Sequence, residues 1–265
     1  MKKYKIAKIT IALTGLLVAT SCTKFDEDIN VSPNKPLVAY NSDLFTYAMR
    51  YVSNTAETTQ GALYVQHLAE TQYTDASRYT NVAFEWAAFY ANPLMNLNYI
   101  INQPINPLTE AAEGSANNQK AVARILRAYF YWHITDRWGD IPYAQALQGE
   151  ANFAPVYTSQ KEVYYDLMKE LKEAAAQIDN GKGVKTDFLY SKDMNKWKKL
   201  ANTMRALMAL RISKADAAKG QAEFNDALAS GVFASNADNF VYPHLEETAN
   251  QNFWYSALSK DACAP

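Results

Sequence analysis

The sequence predicts an all-α protein built as a degenerate helical repeat. Three observations carry this. Apolar residues recur at three- and four-residue spacing in successive stretches from Leu44 to Ile212, the period of a helix with one buried face. Only nine Gly and nine Pro punctuate 265 residues, too few for a turn-rich β chain. Helix-length segments with Ala and Tyr at packing positions have the form of a helical solenoid, although no strict period is visible. The composition, 49% hydrophobic and 20% charged, excludes a disordered chain. The 26 Lys and Arg against 27 Asp and Glu leave no basic excess for nucleic acid.

The segments follow in order. Leu44, Tyr47, Ala48, Tyr51 and Val52 share one helical face, and Leu63 to Tyr73 is the next candidate helix. Asn92 and Pro93 are expected to interrupt the stretch that holds Leu94, Leu97, Tyr99, Ile100 and Ile101. Gln103 to Asn118, with two prolines and Gly114, reads as a loop. Lys120 to Trp138 is the strongest helix. Val122, Ile125, Leu126, Tyr129 and His133 form one face and Ala123, Phe130 and Ile134 another, so it should be buried on two sides. Gly139 and Pro142 stop it. Ser159-Gln160-Lys161-Glu162 is a capping box opening a helix with Val163, Leu167, Leu171, Ala174 and Ile178 inward, ended by Gly181 and Gly183. Trp197, Leu200, Ala201, Met204, Met208 and Ile212 define another helix. Ala222 to Ala229 is a short last one, stopped near Gly231.

The N-terminus reads differently. Lys2, Lys3, Lys5 and Lys8 precede an apolar run from Ile9 to Val18 and the small residues Ala19-Thr20-Ser21, the pattern of a secretory signal. The run is shorter than the roughly 20 residues a membrane span needs. Leu17-Val18-Ala19-Thr20-Ser21-Cys22 resembles a bacterial lipobox, which implies acylation of Cys22. Several acyl chains would anchor the protein durably, at about 0.8 kcal/mol per buried methylene. Cleavage before Cys22 removes four lysines and no acid, taking the net charge from −1 to −5. Residues 1–21 are thus expected to be a signal peptide, 22–40 a lipidated, Pro- and Asn-containing tether, and 41–265 the helical domain. With Cys22 acylated, Cys263 has no intrachain partner.

Four segments carry a family resemblance. They are the lipobox with Asp28-Ile29-Asn30-Val31-Ser32-Pro33-Asn34-Lys35-Pro36; Ala123 to Tyr131 running on to Trp138-Gly139-Asp140-Ile141-Pro142-Tyr143; Val163-Tyr164-Tyr165-Asp166-Leu167; and Trp197 to Asn202 leading into Arg205 and Arg211. In order and spacing the chain resembles the SusD/RagB family of nutrient-binding outer-membrane lipoproteins. The resemblance implies a TPR-like scaffold exposed at the cell surface and anchored by lipid. It implies no catalysis and no cofactor, and a role capturing an oligosaccharide or peptide for a TonB-dependent, SusC-like transporter. Asp26-Glu27-Asp28 resembles a surface-export signal. Family members continue into a larger irregular half that builds much of the ligand site. The chain therefore reads as their N-terminal part, expected to bind glycan weakly alone. The alternative is a helical interaction lipoprotein without ligand binding.

The residues themselves point to no reaction. His67, His133 and His244 lack metal-ligand spacing. No G-x-S-x-G, Walker or dinucleotide glycine pattern occurs. Glu110 with Glu113 and Glu246 with Glu247 carry no sign of the set separation a glycosidase needs. Arg124, Arg127 and the Tyr129–Trp132 cluster read as scaffold, and Asp140 as the residue fixing the turn after Gly139. Sugar rings need flat aromatic faces beside amide and hydroxyl partners. The stretch Gln72 to Asn81 followed by Trp86 offers that mixture, so Tyr73, Tyr79 and Trp86 are the candidate ligand-binding residues. Trp254-Tyr255 is a weaker candidate.

Overall fold

Successive amphipathic helices bury their apolar faces against one another along the chain. The computed structural model describes residues 40–56, 59–79, 86–247 and 250–256. Helix α1 (Asn41–Ala56) is followed by the short α2 (Thr59–Tyr64). Helix α3 runs over 87–102 as α-helix, a π turn at Tyr90–Leu94, and α-helix again from Met95 to Asn102. Then come α4 (Pro107–Glu113), α5 (Ala116–Trp138), α6 (Gln160–Gln177), α7 (Met194–Arg211) and α8 (Ala217–Ala229). The two-residue strands β1 (Ile141–Pro142) and β2 (Tyr157–Thr158) pair antiparallel, placing Ile141 opposite Thr158 and Pro142 opposite Tyr157. The all-α reading of the sequence is borne out.

Side-chain pairs fix the helix directions. Phe89 meets Phe130 while Asn98 meets Arg127, so α3 and α5 run antiparallel. Arg124 reaches Glu170 and Gln177 while Trp132 reaches Tyr164, so α5 and α6 do too. Arg205 bonds Glu223 while Asn202 bonds the Ser230 carbonyl, giving the α7–α8 hairpin. One hydrophobic core threads these helices, with Phe45, Met49, Leu97, Leu126, Phe130, Leu171, Trp197 and Met208 fully or almost fully buried.

As expected, α5 is buried on both apolar faces, Leu126 and Phe130 among them. The capping box opens α6: the Ser159 hydroxyl accepts the Glu162 amide, and the Glu162 carboxylate accepts the Ser159 amide. Arg124 and Arg127 serve the scaffold through Glu170, at 2.7 and 2.9 Å.

Several boundaries differ, each for a local reason. No helix runs from Leu63 to Tyr73: α2 ends at Tyr64, Gln66 turns with φ 59°, and Val65 and Leu68 stay exposed with no face to bury. Pro93 does not break α3. The π turn absorbs its missing N–H, the usual accommodation of one extra residue. The stretch Gln103 to Asn118 is not all loop. Pro107, with its φ already helical, starts α4, whose Glu113 carboxylate accepts the Ser42 hydroxyl at 2.7 Å. Helix α6 ends at Gln177, before the two glycines. Gly183 is needed where two backbones touch, because an added β-carbon would lie 2.4 Å from the Lys192 carbonyl oxygen. Helix α8 starts at Ala217, earlier than expected, because Asp216 caps it by accepting the Lys219 amide. Asp140 does not close its own turn. That turn is made by Gly139 at φ 75° and the Thr135 hydroxyl, while Asp140 accepts the Gln160 amide at 2.8 Å and so ties the turn to α6.

Candidate ligand groove

Trp86 precedes α3, and Tyr90 follows one turn later on the same side, the rings meeting edge-on at 5.6 Å. The end of α5 brings Trp138 to 6.0 Å from Trp86, and β2 brings Tyr157 to 5.9 Å. The β1–β2 pairing sets this arrangement, since it holds Tyr157 opposite Pro142, whose carbonyl accepts the Tyr90 hydroxyl at 2.7 Å. Burial, then the neighbouring Tyr131 and Tyr157, pushes the Tyr90 phenol well above its ordinary range, so it remains a donor.

The connection from β1 to β2 folds over this cluster. Between the two lies an open groove of about 450 Å³, with Trp86, Tyr90, Met95, Leu147, Asn152 and Phe153 among its walls. Phe153 stands 83% exposed at the rim. Asn152 is held by its own bonds, its amide donating to Gln145 and its carbonyl oxygen accepting the Ala154 amide. Flat apolar rings with a few amides at the edge are the ordinary make-up of a ligand cleft, and suit the apolar face of a sugar ring.

Of the three candidate residues, Trp86 alone lines this groove. Tyr73 is 80% exposed and lies outside its lining. Tyr79 adopts φ 58° and donates its hydroxyl to the Tyr64 carbonyl at 2.7 Å. Its ring stacks on Tyr64 at 5.3 Å, so one face is already covered. Cys22 lies outside the described residues, as do Asp26–Asp28 and Cys263. Sequence reasoning did not select Tyr90 or Phe153, which line the groove, nor Trp138 and Tyr157, whose rings pack against Trp86. Trp138 stood in a motif read as scaffold, and the signal for Phe153 was a lone aromatic between Asn152 and Pro155 in a polar connection.

Elsewhere, a 490 Å³ hollow is lined by Asp136, Tyr164 and Arg211, whose polar heads satisfy one another: Arg211 pairs with Asp136 at 2.6 Å and Tyr164 donates to the same carboxylate. Among the described residues no group of His, Cys, Asp and Glu is arranged to hold a metal ion, and no helix is long and apolar enough to cross a membrane.

A family model, SusD-like_2, described as starch-binding and associating with the outer membrane, matches residues 33–263. The chain belongs to the SusD-like family. Solved structures agree with the resemblance seen in the sequence. A chitin-binding protein is 30% identical with a TM-score of 0.71, over 84% of this chain and 49% of its own. A SusD-like protein of Bacteroidetes AC2a is 26% identical with a TM-score of 0.66, over 78% of this chain and 40% of its own. A SusD homologue from Parabacteroides distasonis ATCC 8503, 24% identical with a TM-score of 0.67 over 83% of this chain and 45% of its own, shares the fold. The chain thus spans less than half the length of each of these three structures. No curated protein matches it in sequence.

Proposed function

We propose that this protein is a non-catalytic lipoprotein of the outer-membrane surface that captures a glycan for a TonB-dependent, SusC-like transporter. The observation that carries this reading is the Trp86 groove on a SusD-like scaffold: an open aromatic wall with amide edges, suited to stacking a sugar, with no carboxylate among the described residues that line it. Binding rests on contact, with no bond made or broken. The chitin-binding neighbour makes an N-acetylhexosamine oligomer the first ligand to try, beside malto-oligosaccharide and a short peptide. One stacked ring contributes about 0.5–1.5 kcal/mol beyond area burial. Millimolar affinity already needs about 4 kcal/mol, so weak binding is expected. In calorimetry Trp86→Ala should weaken glycan binding about 3- to 10-fold. Unchanged affinity in that variant would remove the groove from the account. Absence of binding to every glycan would favour the second reading, a helical interaction lipoprotein.

Anchoring belongs to the same proposal and rests on the Ser21-Cys22 junction. Cys22→Ala should abolish lipid labelling and release the protein from outer-membrane fractions. Retention after a high-salt wash would contradict it. Co-purification of the transporter from detergent-solubilised membranes tests the partner.

A further inference from the structure

The groove at Trp86 stops one turn short of an exposed ring on the same helix. Ala87, Ala91 and Met95 line it, and all three are exposed. Tyr99 is the next residue at that spacing and stands 47% exposed. The wall comes this far along α3: the Asn98 amide donates to the carbonyl of Leu147, a lining residue, at 3.3 Å. Asn98 is itself held, its side-chain oxygen accepting the Asn102 amide at 2.9 Å and the Arg127 guanidinium at 3.3 Å. Asn102 is exposed, just past Tyr99 on the last turn. The end of α3 therefore sets an aromatic ring beside an amide at the mouth of the groove.

The π turn aligns these four residues. In a plain α-helix a four-residue step overshoots a full turn by about 40°. Three such steps would carry the line about a third of the way round the helix, and Tyr99 would face away from Ala87. A π turn spends more residues on each turn, so the same step falls short instead of overshooting. The turn at Tyr90–Leu94 lies between Ala87 and Met95, where it takes back part of the drift. The turn is fixed in place. Pro93 and Leu94 are buried, the Asn92 amide donates to the Ala88 carbonyl at 2.9 Å, and Tyr47 donates to the Asn92 side-chain oxygen at 3.2 Å. Ala87, Ala91, Met95 and Tyr99 thus form one nearly straight exposed ridge. Single π turns inside α-helices occur frequently at functional sites.

We propose that Tyr99 is an outer stacking platform of this groove and that the glycan it takes is an extended chain laid along α3; this rests on the groove's being a glycan site. From Ala87 to Tyr99 the helix advances about 18 Å, several sugar rings end to end. The groove, about 450 Å³, lies in the lower part of the range of ligand pockets. It holds the first units, and the rest of the chain runs out along the ridge. Alanine at 87 and 91 lets a flat sugar face come close to the helix, and Met95 and Tyr99 supply apolar surface beyond. A β-1,4-linked chain is a straight ribbon that keeps to such a ridge. An α-1,4-linked chain curves and leaves it after the first units.

The test is calorimetry of the full chain with the dimer and the hexamer of β-1,4-linked N-acetylglucosamine, and with maltohexaose as the curved chain. The N-acetylglucosamine hexamer should bind more tightly than the dimer. A hexamer can also be seated in more ways, so the variants decide. Tyr99→Ala should weaken that hexamer about 2- to 10-fold, one ring's stacking, and leave the dimer and maltohexaose as they were. Tyr99→Phe, which keeps the ring, should bind the hexamer nearly as the natural chain does. Trp86→Ala should weaken dimer and hexamer alike. Hexamer binding unchanged in Tyr99→Ala, or an equal loss for dimer, hexamer and maltohexaose, would overturn the platform while leaving the groove. A dimer unaffected by Trp86→Ala, or no binding of any of these glycans, would remove the groove and the platform together.

Discussion

Arg205 has no solvent exposure at all, although its cation lies within the α7–α8 hairpin. Its guanidinium donates to Glu223 at 2.7 Å, to the Asn202 side chain at 3.1 Å, and to Asp226. Removing one partner of such a set strands the others, at a cost of about 3–5 kcal/mol. Arg205→Ala should therefore lower stability by that amount in denaturant titration. Arg205→Met, which fills the volume but strands the same acids, should cost nearly as much. A loss under 1 kcal/mol, the range of exposed pairs, would show that water enters the site. Asp187 follows the same logic without a cation. Its carboxylate, 5% exposed, accepts the Leu189, Tyr190 and Lys192 amides and the Trp197 indole at 2.7 Å, so one buried acid organises the entry to α7. Neither role shows in residue type alone. In sequence Arg205 is a basic residue among apolar ones, and only the packing of α8 takes it out of water.

At the scale of elements, α5 carries the most. It packs against α1, α3, α6 and β1, and both its apolar stripes are covered. Leu126→Asp would force an unpaired charge between these neighbours. The cost is several kcal/mol against a total stability of about 5–15 kcal/mol, so the variant should be unfolded by circular dichroism. A native spectrum would show that α5 is less enclosed than described. The α6 capping box is a smaller lever. Ser159→Ala should cost about 0.5–2 kcal/mol, read from the denaturant midpoint, with little change in helix content. Capping boxes and long periodic stripes were legible because they act through residues a few positions apart. The π turn at Pro93 and the helix at Pro107 were not, since a proline in sequence looks the same whether the surrounding helices hold it or not.

Over the whole molecule, the buried phenols set the pH range. Burial pushes Tyr90, Tyr131, Tyr143 and Tyr190 above the ordinary value of 10.0. Their folded forms hold protons that the unfolded chain releases. The stability they contribute is complete below pH 10 and is lost as pH rises beyond it. Tyrosine ionisation followed by near-ultraviolet absorbance should thus appear late and together with loss of helicity. Gradual titration of all 18 tyrosines near pH 10 with the fold intact would contradict this. On the acid side, burial lowers His133 below its ordinary 6.5. For Glu170, burial opposes but Arg124 and Arg127 prevail, holding it below 4.5. Both contributions are present above those ordinary values and fall away as pH drops through the lower folded ones, so the helical scaffold should weaken first below about pH 6.5 and again below about 4.5.

The sequence by itself determined the class, the order of the main helices and the family, because helical periodicity, caps and the Trp138–Tyr143 motif are local patterns. The tertiary structure decided which aromatic residues cluster around Trp86. Trp86, Trp138 and Tyr157 are separated by tens of residues, and what joins them is a two-residue strand pair and the end of one helix. Tyr79 and Trp86 are near in sequence, yet Tyr79 spends one face on Tyr64 while Trp86 opens onto the groove. Exposure of a ring depends on what the rest of the chain lays against it, and a spacing rule cannot carry that information.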